Sequence, residues 1–466
     1  MQPDGKIRRP DAGVKTLTAS DLVDGDVHAR THIRSVLRTF LLLVLVFSGT
    51  LHLRQALGSL EAPDVFRKDF LQEYLLARAV LDGNDPYSPV TSLARRFISD
   101  VPVPVLPHPT PHPPPVALLA LPLGLVKYQA AASVWLAFEL VCLSASLWLL
   151  LKGIGVSPSA GVLIIFTLIG VGLAPVWTGL MVGQLMLLLL LLLSGAWLAL
   201  RERRDRLGGA LLGFALALKL MGIPILLFLA LRKRWTAAIS ASIALAAANL
   251  VAVLMIGIGP VFTYYAEVSR LIFPLYRSAA PNISAWSIGW RLFDGTGSPL
   301  LLAFRAPPFL YSPMAAALVS IAIPLLLVAG VLYLAVRAND FDLSFGMLIC
   351  VSIVFHPVAW VHYLVLIAIP LLIAVDKLRA LRFPRRESIF LLALAFILDL
   401  PPETVSGMST AFATSRYSSQ EQLVPAAPAL FGLIYTVAVV ALVWFLWRID
   451  QARARQAAGA EKYVHQ

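Results

Sequence analysis

Apolar stretches long enough to cross a membrane recur from one end of this chain to the other, and nothing else in the sequence limits the fold so severely. A helix rises 1.5 Å per residue, so roughly 20 apolar residues span a hydrocarbon core of about 30 Å. The runs fall near residues 35–57, 116–127, 130–151, 159–176, 183–200, 208–231, 236–258, 313–336, 341–356, 358–376, 387–401 and 425–447, with short charged or Pro/Gly-rich connectors between most of them. A bilayer interior offers the backbone no water, so only helices and closed β-barrels cross it, and barrel strands alternate apolar with polar residues. These runs are apolar throughout. The expected fold is therefore an all-α integral membrane protein, a polytopic helical bundle of about 10–13 membrane helices. Composition agrees, with 59% hydrophobic and 14% charged residues and a mean hydropathy of +0.80, values foreign to soluble domains.

The net charge of +12 does not point to nucleic acid, because the basic residues cluster beside the apolar runs, at 201–206, 232–234 and 377–386. Such clusters set topology and meet lipid headgroups. Cys142 and Cys350 both lie inside apolar runs, which supports neither a disulfide framework nor a Cys/His metal site. No acidic cluster has metal-ligand spacing, and no cofactor motif is present. Residues 1–34 read as a cytoplasmic tail before an uncleaved first helix, 35–447 as the membrane domain and 448–466 as a second cytoplasmic tail. The outer, extracytoplasmic face of the plasma (inner) membrane then receives the loops 58–115, 259–312 and 402–424, the Gly183-Gln184 turn and the turn 356–362. Residues 207–231, basic on both flanks, are too short for two full spans. They predict two short helices meeting near Lys219, Met221 and Gly222, with a tip about 18 Å deep. The short run after Pro113-Pro114-Pro115 is expected to dip in from outside and return.

Within the first outer loop, Phe70, Tyr74, Ala77 and Leu81 share one helical stripe, and Asp69 and Glu73 lie one turn apart on another. The pattern predicts an amphipathic helix at the outer interface, stopped at Gly83 and the Asp85-Pro86-Tyr87 turn. Asp69 is either the N-cap of this helix or a carboxylate free for chemistry. Asp85 reads as a turn residue.

The series Asp69-Phe70, Tyr74, Ala77, Gly83 and Asp85-Pro86-Tyr87 resembles the signature of the bacterial polytopic glycosyltransferases of family 87, which include polyprenyl-phosphate-mannose-dependent mannosyltransferases. Further matches follow in order: Pro113-Pro114-Pro115 with Pro122, Gly183-Gln184, Lys219 with Gly222 and Pro224, and Trp360 with His362-Tyr363. The chain departs from the pattern at Pro113, where many relatives carry an aromatic residue, and in its longer N-terminal tail. The resemblance implies a C-type glycosyltransferase architecture, a polyprenyl-phosphate sugar donor, a glycolipid or glycan acceptor and catalysis by Asp69. A donor with a long lipid tail has to be met at the bilayer surface, and no nucleotide cradle is visible in the sequence.

On this reading the substrate-binding candidates are Lys219, His362, His356, Gln184, Glu73, Tyr74 and Arg291. An ionisable residue inside a membrane is expensive and is a functional candidate by default, so Lys219 is expected to meet the donor phosphate; snorkelling to an interface is the alternative. Of the two late histidines His362 is preferred for the donor site, and Gln184 either binds a sugar hydroxyl or caps a span. Arg270, Arg277, Arg291 and Arg305 are the candidates for a bidentate phosphate clamp. Tyr264, Tyr265, Trp286 and Trp290 read as interfacial anchors. The competing function is a lipid-linked sugar flippase or polytopic transporter, which predicts polar residues strung through to both faces.

Overall fold

A computed structural model describes residues 19–99, 101–301, 303–416 and 422–464. Most of the expected N-terminal tail (residues 1–18) and part of the last outer loop (417–421) lie outside these. Most of the described chain is helical, and a two-stranded antiparallel ladder pairs Ser415–Arg416 with Gln422–Leu423. The helix carrying the first apolar run is Ala19–Gly58, and the last, Ile434–Val464, continues past the apolar run into the basic C-terminal segment.

Among the described residues, six helices are long and apolar enough to cross a membrane: Ser35–Gly58, Tyr128–Gly153, Trp235–Ile256, Pro313–Arg337, Val361–Ala380 and Ala426–Ala458. Two bent pairs, Ala160–Val171 with Ala174–Val182 and Arg385–Leu398 with Pro402–Thr410, turn by 80° and 78° and raise the number to eight if each is one span. The 10–13 expected from apolar runs exceeds this because several runs fold into shorter helices. Met186–Arg201 has 16 residues and Phe341–Phe355 has 15, or about 24 and 22 Å of rise. Burial orders the spans. Val361–Ala380 is 72% buried and packs at the centre, whereas Ser35–Gly58, at 6%, leaves Phe40, Leu43 and Phe47 exposed. Exposed apolar surface on that scale belongs against lipid.

The 207–231 segment is a hairpin. Helix Asp205–Leu218 ends at Lys219, whose extended backbone (φ −161°, ψ 124°) breaks the α-helical ladder. A 3₁₀ turn, Leu220–Gly222, leads into helix Ile223–Leu231. Arg234, just past the hairpin, reaches back to pair with Asp205 at its start and donates to the Leu200 carbonyl at 2.7 Å, so both ends share one face. Close packing holds the first arm against Trp235–Ile256. A Cβ at Gly209 would sit 2.2 Å from the Ala237 carbonyl oxygen, and one at Gly213 2.2 Å from that of Ala241. Small residues at a four-residue spacing let the two backbones touch.

Near those hairpin ends the charged residues form one cluster. Lys377 bonds Asp342 at 2.7 Å and Asp340 at 3.1 Å, Arg201 reaches Asp342 at 3.5 Å, and Arg453 pairs with Asp340. Helices Met186–Arg201 and Phe341–Phe355 run from this cluster to the opposite end of the bundle, where Gln184 and His356 lie just beyond their other ends.

One sequence expectation fails. Helix Phe70–Leu81 does not lie exposed at an interface, since nine of its twelve residues are buried. Leu71, Leu75 and Leu76 cover the faces that the amphipathic stripe left polar, Gln72 and Glu73 are buried with them, and Leu81, placed on the apolar stripe, is exposed. The short helix Pro114–Ala120 and the 3₁₀ turn Leu123–Leu125 pack over it. A helix enclosed on all sides needs no amphipathic face.

Candidate active site

Asp69 precedes the Phe70 helix, in the N-cap position, yet its side chain accepts no hydrogen bond from the helix backbone. Its carboxylate turns instead to Gln184, whose Nε2 donates to Oδ2 at 2.6 Å, and Gln72 Nε2 lies 3.4 Å from Oδ1. The local sequence brings the two segments together in three ways. Lys68 donates from Nζ to the carbonyls of Leu180 and Met181, at 3.1 and 2.8 Å, in the last turn of helix Ala174–Val182, where carbonyls lack helical partners and a cation is favoured. Gly183 follows in the left-handed region (φ 71°), and a Cβ there would lie 2.9 Å from that of Phe70. Trp135 Nε1 donates to the Gly183 carbonyl at 3.0 Å. Burial pushes the Asp69 carboxyl above the usual carboxylate range, and the Gln184 bond and the Lys219 charge oppose that rise. A base is strengthened in that direction.

Lys219, at the hairpin tip, is buried. Its Nζ stands 3.9 Å from the centroid of the Tyr363 ring, a cation–π contact that holds the ammonium without consuming it in an ion pair. His362 and His356 meet the same tyrosine edge-on, with centroids 4.9 and 5.7 Å away. His356 Nδ1 lies 2.6 Å from the Val358 carbonyl and so carries the proton on that nitrogen, while His362 Nε2 is buried with no partner. Although six residues apart around Pro357, the two histidines converge.

Asp69, Gln72, Gln184, Lys219, His356, His362 and Tyr363 line one cavity of about 800 Å³. Asp69, Gln184, Lys219, His356 and His362 from the sequence reading share it; Glu73, Tyr74 and Arg291 do not. Glu73 is fully enclosed behind Asp69, with His112 Nε2 3.1 Å from its Oε1. Tyr74 donates its hydroxyl to the Val126 carbonyl at 2.9 Å. Arg291, buried in the second long loop, donates to the carbonyls of Ala279, Ala280 and Asn282 at 2.5, 2.5 and 2.7 Å, which makes it a brace for that loop. Arg277 pairs with Asp294 at 3.3 Å and lies over Trp290. Asp85 does act as a turn residue, accepting from the Tyr87 amide at 3.0 Å.

Sequence reasoning missed Gln72, His108, His112 and Tyr276 on the cavity wall, and took Trp286, which also lines it, for a membrane anchor. The available signal was the alternation of proline with His108, Thr110 and His112 from Pro107 to Pro113. Those prolines keep the strap extended. It is pinned across the cavity by His108 Nε2 on the Tyr276 hydroxyl at 2.7 Å, and by Tyr264, whose hydroxyl donates to the Pro111 carbonyl at 3.1 Å.

Buried Gln72 Oε1, His112 Nε2, Gln184 Oε1, Ser352 Oγ and His362 Nε2, from five cavity-lining residues, have no hydrogen-bond partner. Buried polar atoms are ordinarily satisfied, so the lining is built for a ligand rich in polar groups. Residues 111–358 match the sequence model of glycosyltransferase family 87. The chain belongs to that family. As a family 87 glycosyltransferase it carries Gln184, Lys219 and His356 inside the matched segment, whereas Asp69 and His362 lie outside it. No curated protein and no solved structure matches the chain.

Proposed function

We propose that this membrane glycosyltransferase moves a hexose, mannose before others, from a polyprenyl-phosphate sugar to a hydroxyl of an extracytoplasmic glycolipid or glycan, with inversion and with Asp69 as general base. The observation that carries the reading is the Asp69 carboxylate, unused as a cap, held by Gln184 and facing the same cavity as the Lys219 ammonium. In the reaction the acceptor oxygen forms a bond to the anomeric carbon while the bond from that carbon to the phosphate oxygen breaks. The hydroxyl proton passes to Asp69 and the electron pair leaves on the phosphate, where Lys219 offsets the charge that develops. Attack opposite the leaving phosphate converts a β-linked donor into an α-linked product in one displacement. Leu218, Leu220, Met221, Ile223 and Phe273 on the cavity wall support a donor with an apolar tail.

The test is incubation of the purified protein, in detergent and in lipid vesicles, with a radiolabelled polyprenyl-phosphate sugar and glycolipid acceptors. The expected result is transfer with inverted anomeric configuration and no covalent sugar–protein species. Retention of configuration, or movement of the labelled lipid across vesicles without transfer, would defeat the proposal.

A further inference from the structure

Glu73 is the buried group that this chemistry leaves unused. It has no solvent exposure, and neither carboxyl oxygen receives a hydrogen bond from another residue. The polar atom set against it is His112 Nε2, 3.1 Å from Oε1. Also facing it are Asp69 one turn back, Lys219 at the hairpin tip, and Tyr128 and Glu139 on the Tyr128–Gly153 helix. An ionised carboxylate enclosed without donors costs several kcal/mol. Lys219, the cation shared by both carboxyls of this helix, already balances the charge of Asp69. Burial accordingly lifts the Glu73 carboxyl well above its usual range, and burial together with the Lys219 charge drives His112 down to about 3.

We infer that Glu73 is a neutral carboxylic acid that gives its O–H hydrogen bond to His112 Nε2, which fixes the imidazole as the Nδ1–H tautomer and makes it a donor to a ligand oxygen in the cavity. A neutral imidazole carries one ring proton, so a lone pair committed at Nε2 puts that proton on Nδ1. His112 lines the cavity and Glu73 does not. Glu73 is thus a positioning residue acting through His112, and His112 contacts the substrate. The substrate oxygen belongs either to the donor phosphate or to a sugar hydroxyl. The inference rests on the proposed transfer reaction for its kinetic consequence but not for the protonation state.

Infrared spectroscopy of the full-length protein in detergent at neutral pH reads that state directly. The carbonyl-stretch band of a protonated carboxylic acid is expected in wild type and is expected to lose intensity in Glu73→Gln. In His112→Ala the band should persist and move to higher frequency, because the acid has lost its acceptor. Absence of a Glu73-dependent band, or a band unmoved in His112→Ala, overturns the inference whether or not the protein transfers a polyprenyl-phosphate sugar. Kinetically, His112→Ala should raise KM roughly tenfold, the weight of one lost hydrogen bond. A rise for the donor alone assigns His112 to the donor, and a rise for the acceptor alone assigns it to the acceptor. Unchanged KM for both refutes the contact. Glu73→Gln keeps a donor for Nε2 and should stay within about threefold of wild type, whereas Glu73→Leu should match His112→Ala and add nothing to it in the double variant; additive losses refute the coupling.

Discussion

Replacing Asp69 by Asn separates chemistry from structure unusually well in this protein. Asn presents an oxygen to Gln184 Nε2, which donates to Asp69 Oδ2 at 2.6 Å, so the contact that orients the side chain survives. No helix cap is lost, because Asp69 makes no cap bond; a working cap would have cost about 1 kcal/mol. Stability should even gain. Burial raises the folded-state carboxyl above its ordinary value, so the ionised form destabilises the fold at pH above the ordinary carboxylate range, and the penalty vanishes below that range. Asn has no such penalty. The melting temperature of Asp69→Asn should therefore equal or exceed that of wild type at neutral pH, with the difference closing as the pH falls. Catalysis should respond oppositely, since removal of a general base typically lowers the rate by about 10²- to 10⁴-fold. The assay is radiolabelled sugar transfer at saturating donor, with differential scanning fluorimetry on the same preparation. A well-folded Asp69→Asn protein that keeps more than about a tenth of wild-type transfer refutes the assignment, and the base would then have to be sought elsewhere on the cavity wall.

Lys219→Ala should raise the apparent KM for donor roughly 10- to 100-fold, the weight of one charge-assisted hydrogen bond, with little change in melting temperature; wild-type dependence on donor concentration would leave Lys219 without a phosphate. Gly213→Leu should lower thermal stability by about 1–3 kcal/mol or abolish expression, because its Cβ would meet the Ala241 carbonyl oxygen at 2.2 Å, whereas Gly330→Ala, with nothing within 4 Å, should behave as wild type. Both Ser92 and Ala457 are exposed. A cysteine at Ser92 should react with an impermeant thiol reagent added to intact cells and one at Ala457 should not; the reverse would invert the orientation expected from the basic clusters.

Much of the bundle is legible in the sequence because each cue is local. Apolar length marks the spans, and basic flanks on both sides of a short run mark the hairpin whose break falls at Lys219. Gln184, Lys219, His356 and His362 stand out as polar residues interrupting or bordering apolar runs, and they share the cavity with Asp69. What the sequence hides is which polar residues another segment covers. Glu73 looks as available as Asp69 until the strap carrying His112 closes over it. Arg291 looks like a phosphate ligand until three carbonyls of its own loop surround it. The buried Phe70 helix misled for the same reason, since its outward face is covered by residues some 45 positions later in the chain.

The hairpin also bears on how the protein is made. Its two arms start and finish at one end of the bundle, so in the orientation expected from the basic clusters Arg234 and the basic residues near Asp205 need not be drawn through the bilayer. The arms carry Lys219 to a buried tip, and inside a bilayer an isolated ammonium is costly. Asp69, whose charge bears on Lys219, is synthesised 150 residues before it. A nascent chain that has already folded the segment around Asp69 meets the incoming lysine with an acidic partner in place, and the order of translation spares the lysine an unaccompanied burial.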